Sequence, residues 1–205
     1  MISILLPIYN EGKFINDAIT SVINQSYPDW ELVVVDNGST DNTVDICESL
    51  AKTDTRIHFY SIPEKNKIKA HNFAYSKSKG DIICFFCGDD TLPVTSLEER
   101  VSSFEERPDE LLYTTCLLKT FSEIKKFDGN TFPKNPDMPN YSAGSIMFRR
   151  EIADKIFPIP IILPNEDTWS QLYLRSFCTN SHIPKVLYNY RIHQNNSYGY
   201  GLSFE

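Results

Sequence analysis

The residues of this chain best suited to chemistry come as adjacent polar groups at the ends of apolar runs. Asp89-Asp90 follows one such run, and neighbouring carboxylates there suit a hard divalent cation that keeps several waters and bridges to phosphate oxygens. The same dipeptide also suits a solvated helix cap ahead of Pro93. Asp36-Asn37 ends a second run beside Gly38, where the pair equally makes an ordinary turn. Pro7-Ile8-Tyr9-Asn10-Glu11 ends a third. Co-location favours a site, because independent surface acids have no reason to collect at successive strand ends. Cys84 and Cys87 make the one CxxC, but no second CxxC or His pair completes a zinc site. Five scattered cysteines do not resemble a disulfide framework, and this pair reads as two half-buried strand thiols.

The elements that must hold these groups alternate between strand and helix. Ile2 to Ile8 is an apolar run of strand length, and Ile15, Ala18, Ile19, Val22 and Ile23 then fall at helical spacing. Glu31 to Asp36 is a β-branched run without polar alternation, as expected of a strand covered on both faces. Asp41 is a candidate N-cap for a helix to about Thr53. Arg56 to Ile62 reads as a strand, Lys69 to Ser78 as a helix and Ile82 to Phe86 as a fourth strand. Such repeats imply right-handed crossovers and an open, mostly parallel α/β sheet, with ligands beyond the carboxyl ends of its strands. The three polar clusters stand at those ends.

Beyond a helix at about Val94 to Arg107 the pattern becomes mixed. Leu111 to Thr120 reads as a strand, Asp128 to Asn140 as a loop, Gly144 to Phe148 as a short strand, Glu166 to Phe177 as a helix and Val186 to Ile192 as a last strand. The closing Tyr198, Tyr200 and Phe204 read as packing that closes the fold.

Across all 205 residues, 20 Lys and Arg against 27 Asp and Glu leave a net charge of −7, which disfavours nucleic acid as a partner. The hydrophobic fraction of 41% supplies a sizeable core and argues against disorder. Met1 to Ile8 is too short for a membrane span and lacks the flanks of a signal peptide, so the expected location is cytoplasmic. The glycines form neither GxGxxG, nor a GxxxxGK[ST] phosphate loop, nor a GxSxG elbow. Phosphate binding must therefore rely on side chains and metal.

The quoted segments, together with Gln25 to Asp41, Gly80-Asp81-Ile82-Ile83, Gly144 to Glu151, Glu166-Asp167 and Tyr190-Arg191-Ile192-His193, resemble glycosyltransferase family 2 in order and over nearly the whole chain. These are inverting GT-A nucleotide-sugar transferases. The resemblance implies a single GT-A domain over 1–205, with 1–110 as the nucleotide-sugar half and 111–205 as the acceptor and catalytic-base half. It implies that Pro7, Tyr9 and Glu11 border the nucleoside, that Asp36 and Asn37 edge the base, and that Asp89 contacts the ribose side. Asp90 then holds Mg or Mn against the diphosphate, with His193 near the metal. Asp167 matches the general base, and Gly144, Ser145 and Glu166 fall on the acceptor side. Implied partners are a nucleoside diphosphate sugar and a glycan or lipid-linked acceptor, with peripheral membrane contact possible and surface polysaccharide synthesis as the setting.

Three residues depart from the family pattern. Cys87 replaces the first acid of the metal motif, Asn37 a frequent aspartate, and His71 of Ala70-His71-Asn72 a frequent arginine, which by the resemblance places His71 among the donor-binding residues as a base or phosphate contact. Asn37 predicts a pyrimidine donor, UDP or dTDP over GDP, and tighter UDP binding in Asn37→Asp. The basic stretch Lys65, Lys67, Lys69, Lys77 and Lys79 reads mainly as a solvated helix face. Two other readings stay open: a catalytically silent nucleotide-sugar-binding subunit and a metal-dependent phosphohydrolase.

Overall fold

A computed structural model of the chain describes residues 1–194 and 196, so the closing aromatics lie outside the described residues. Strand β1 (Ile2–Ile8) is buried along its whole length. Its alternating side chains serve two apolar layers, with Ile2, Ile4, Leu6 and Ile8 on one face and Leu5 on the other. Strand β2 (Trp30–Asp36) does the same, Leu32 and Val34 opposing Val33 and Val35. Burial on both faces explains why neither run alternates with polar residues.

Helices α1 (Ile15–Ile23), α2 (Thr43–Ala51) and α4 (Ser96–Glu106) contribute to the first layer; α3 (Lys67–Lys77), α5 (Arg150–Ile156) and α6 (Glu166–Phe177) contribute to the second. The sheet order is β3 (Ile57–Ser61), β2, β1, β4 (Ile82–Phe85), β7 (Met147–Arg149), β5 (Leu112–Phe121) and β6 (Thr131–Phe132), with β8 (Thr179–Arg191) also on β5. Strands β1 to β4 pair in parallel. Because β7 is antiparallel to both β4 and β5, and β8 is parallel to β5, the carboxyl ends of β5 and β8 reach the same sheet edge as those of β1, β2 and β4. One mostly parallel sheet thus runs through both halves of the chain.

Several boundaries differ from the sequence reading. Helix α3 starts two residues early because the Asn66 carbonyl accepts from Lys69 N at 2.9 Å. Asp41 accepts from Thr43 N at 3.0 Å, although the residue at the cap position of α2 is Asn42. Residues Ala143–Ser145 make a 3₁₀ turn, and the strand begins only at Met147. Helix α5 was not expected, and β6 occupies the stretch read as loop. Strand β8 begins seven residues before the expected Val186; its register on β5 steps from Cys116↔Ile183 to Leu117↔Val186, skipping Pro184 and Lys185 and breaking the alternation.

Candidate active site

A cleft of about 1160 Å³ opens along the shared carboxyl edge. Pro7, Tyr9, Asn37 and Lys65 line one region of it. The chain leaves β1 through Asn10, whose φ of 54° is left-handed, a conformation asparagine tolerates. Its side-chain Oδ1 accepts from Thr40 N at 2.8 Å and its backbone N–H donates to Ser39 Oγ at 2.8 Å, tying this turn to the one after β2. Lys65 Nζ lies 3.9 Å from the centre of the Tyr9 ring.

Asn37 donates from both its backbone N (3.0 Å) and its Nδ2 (2.8 Å) to the carbonyl of Ile8. A carbonyl can only accept, so the amide orientation is fixed: Nδ2 faces inward and Oδ1 has no partner among the described residues. The amide nitrogen is thereby engaged with the main chain, and the oxygen is the atom turned away from it. Asp36, expected at the base, lies under the turn instead, fully buried and accepting from Gly38 N, Ser39 N and Ser61 Oγ at 3.1–3.3 Å.

Cys87, Asp89 and Asp90 offer ligand atoms within 4.8 Å of one another. Their surroundings divide them. Asp90 is buried, its Oδ2 accepting from the Tyr188 hydroxyl at 2.7 Å and its Oδ1 from Arg191 N at 2.7 Å. Burial and the charge of Asp89 push its pKa well up. Asp89 accepts at Oδ2 from His193 Nε2 at 3.1 Å and Asn196 Nδ2 at 3.3 Å, and its Oδ1 has no partner among the described residues. Facing a carboxylate, His193 Nε2 is the protonated nitrogen. Asp90 thus braces β8 and His193 braces Asp89, and of the two carboxylates only Asp89 keeps an oxygen without a partner among the described residues. Burial and the charge of Asp90 likewise push the Cys87 thiol well above its usual range.

Glu11 shares this end of the cleft, its pKa raised to about 8 by burial and by the charges of Asp89 and Asp41. Gly88 gives it room, since a Cβ there would meet Glu11 Cγ at 2.9 Å. Arg191, inside Tyr190-Arg191-Ile192-His193 but not singled out by the resemblance, also lines this end of the cleft. Its Nε donates to Asp89 O at 2.7 Å, and its guanidinium lies between the rings of Phe14 (4.6 Å) and Phe121 (4.4 Å).

Helix α6 brings a second acidic pair to the cleft, with the Asn165 carbonyl capping its start by accepting from Thr168 N at 3.0 Å. Asp167 Oδ1 is buried without a partner. Burial and the neighbouring Glu166 charge raise its pKa to about 7, against the opposing effects of Lys67 and the Ala143 N–H. Glu166 itself is buried and pairs with Lys67 Nζ at 2.8 Å. Two lysines of the basic stretch, Lys65 and Lys67, are exposed as expected and line the cleft.

Two other expected residues stand behind the cleft. His71 is buried below Glu166, and Ser145 donates its hydroxyl to the carbonyls of Asn140 and Ser142. Gly144 does line the cleft; a Cβ there would fall 2.0 Å from the Tyr188 ring.

The sequence profile of Glycosyl transferase family 2 matches residues 3–157. The chain belongs to this family. It is 29% identical over 204 residues to a protein described as a teichuronic acid biosynthesis glycosyltransferase, TuaG of Bacillus subtilis (strain 168), covering 95% of this chain and 80% of TuaG. It is 31% identical over 142 residues to the chondroitin synthase of Pasteurella multocida, covering 69% of this chain and 14% of that protein. S. aureus TarS in complex with UDP-GlcNAc superposes with a TM-score of 0.75 at 20% identity, over 95% of this chain and 59% of that one. The mannosyltransferase PcManGT of Pyrobaculum calidifontis, in complex with GDP-Man and Mn2+, gives 0.71 at 19% identity, over 95% and 57%. The expected GT-A fold is the one found. The chain spans less than two thirds of these two solved structures, and no helix among the described residues is long and apolar enough to cross a membrane.

Proposed function

We propose that this family 2 glycosyltransferase moves a sugar from a nucleoside diphosphate sugar to an acceptor hydroxyl with inversion, using Asp167 as general base. The observation that carries the reading is that Asp167 and Asp89 open into one cleft from opposite halves of the chain. The donor base lies by Tyr9, Pro7 and Lys65, with the Asn37 carbonyl oxygen accepting from a ring N–H. Uracil and thymine offer that N–H, as does guanine. Relatives of the same fold bind UDP, UDP-GlcNAc and GDP-Man, which supports a nucleotide-sugar donor.

Mg or Mn fits the donor set. One carboxylate with a free oxygen, Asp89, suits an ion that keeps waters and takes its remaining ligands from phosphates, whereas a protonated Cys87 thiol suits neither metal. When bound, the cation offsets negative charge on the departing diphosphate. His193 and Asn196 hold the Asp89 carboxylate in place, and Asp90 anchors the loop through Tyr188 and Arg191. Asp167 takes the acceptor proton as the acceptor oxygen bonds the anomeric carbon and the bond to the diphosphate oxygen breaks. A base with a pKa near the working pH is suited to that transfer, which contributes about 10²–10⁴-fold. The acceptor, a glycan or lipid-linked saccharide, enters from the Gly144 and Glu166 side. The setting is cytoplasmic surface-polysaccharide synthesis.

Calorimetry with UDP, dTDP, GDP and CMP, with and without Mn, tests the donor site. Mn-dependent binding led by UDP or dTDP is expected; a clear preference for GDP would overturn the pyrimidine choice, and a preference for CMP, whose base has no ring N–H to donate, would overturn the assignment of the base to Asn37. Incubation with the matching nucleotide sugars separates the chemistries: nucleoside diphosphate with transferred or free sugar supports transfer, and sugar phosphate indicates a phosphohydrolase.

A further inference from the structure

Lys67, His71 and Glu166 form a charge cluster that the transfer reaction itself does not use. Glu166 Oε1 pairs with Lys67 Nζ at 2.8 Å and has His71 Nε2 3.5 Å away without a hydrogen bond, while Oε2 is buried without a partner. The His71 ring packs edge-on to Phe85, 5.2 Å between centres. A buried carboxylate with an empty oxygen is a costly arrangement. Stability alone gives no reason to set it beside a second carboxylate whose Oδ1 is also buried and unpartnered, as Asp167 is.

We infer that Lys67 and Glu166 are positioning residues whose opposite charges set the proton affinity of Asp167, with the buried His71 ring packed beneath Glu166. This rests on the reading of Asp167 as the base. The groups facing Asp167 are Glu166 on its own helix, Lys67 on α3 and the Ala143 N–H on the 3₁₀ turn. Glu166 faces Lys67 and His71, and Lys67 also faces Cys87. The negative charge of Glu166 makes Asp167 harder to ionise, and the positive charge of Lys67 makes it easier. Their balance leaves Asp167 divided between its two forms near neutral pH, where a general base is most effective.

Carboxyl ¹³C NMR titration of the full chain reads this without any donor or acceptor, the Asp167 signal being identified by its loss in Asp167→Asn. The parent midpoint is expected near 7. Lys67→Met should raise it by on the order of one pH unit, Glu166→Gln should lower it by a similar amount, and Lys67→Arg should restore it. A purely structural pair would lower the melting temperature of both variants without moving Asp167 in opposite directions. Unmoved midpoints, shifts of the same sign, or a parent Asp167 that does not titrate between pH 5 and 9 would overturn the inference. The acid limb of the transfer rate should follow the same order. Opposite NMR shifts in a chain that transfers no sugar to any acceptor would sustain the cluster and remove the proposed reaction.

Discussion

Asp89-Asp90 at the end of β4 and Glu166-Asp167 at the start of α6 are both acidic dipeptides lining the cleft, and in each one member is buried while its neighbour is only partly so. The order is reversed: Asp90 is buried in the first pair and Glu166 in the second. Their partners differ too. Asp90 is satisfied by neutral donors, the Tyr188 hydroxyl and the Arg191 N–H, and burial pushes its pKa up. Burial also works against the ionised form of Glu166, but His71 and Lys67 outweigh it and hold the group below the usual carboxylate range. The strand-end pair thus keeps a brace held by neutral donors behind its neighbour, and the helix-start pair keeps one held by the charge of Lys67. Asp36-Asn37 follows the first arrangement, with Asp36 inward under N–H donors and Asn37 on the cleft.

The sharpest way to break this comparison is at the working member of the helix pair. Asp167→Asn keeps the shape and loses the basicity, so transfer should fall by about 10²–10⁴-fold while UDP binding stays within a few-fold of the parent. Full transfer in that variant would remove Asp167 from the role. The strand pair should separate into two phenotypes. Asp90→Ala leaves the buried Tyr188 hydroxyl and Arg191 N–H without an acceptor, costing about 1–3 kcal/mol for each unsatisfied group and lowering the melting temperature by roughly 5–20 °C. Asp89→Ala should melt like the parent and lose Mn-dependent nucleotide binding. Calorimetry and thermal melts on both variants check this; an unaltered Mn response in Asp89→Ala returns the cation to Asp90.

How much of this was legible in the sequence follows from the same residues. The unbroken apolar runs of β1 and β2 and the helical spacing of α1 report burial directly, so the parallel core and the edge carrying the clusters could be read from residue order. The second half resisted because Pro184 and Lys185 interrupt the strand period of β8 and because α5 starts directly where β7 ends. Which acid of a pair turns inward was not legible. That depends on Tyr188, Arg191, Lys67 and His71, which lie far away in the sequence and reach their acids only through the sheet order. Arg191 carried a signal, its place in Tyr190-Arg191-Ile192-His193, without any hint that it would clamp the loop of Asp89.

The last prediction sharpens the comparison by making the third pair acidic as well. From sequence alone, Asn37→Asp looks like a gain, because hydrogen bonds to charged groups contribute about 1.5–3 kcal/mol against 0.5–1.5 for neutral ones. The structure reverses the sign. Nδ2 of Asn37 donates to the Ile8 carbonyl at 2.8 Å, and an aspartate there places an oxygen against an oxygen. The carboxylate must then take up a proton to replace the lost donor, or rotate away and give up the position from which Oδ1 meets the base. Asp36, already buried one residue earlier, adds like-charge repulsion to the ionised form. UDP affinity in Mn should therefore fall by roughly 2–10-fold at neutral pH, the equivalent of one neutral hydrogen bond, and recover in part as the pH is lowered and the new side chain regains a proton to donate. Calorimetry at two pH values, with Asn37→Ala as the control for simple loss of the amide, measures it. Tighter binding of UDP by Asn37→Asp at neutral pH would mean that the Ile8 carbonyl does not fix the amide.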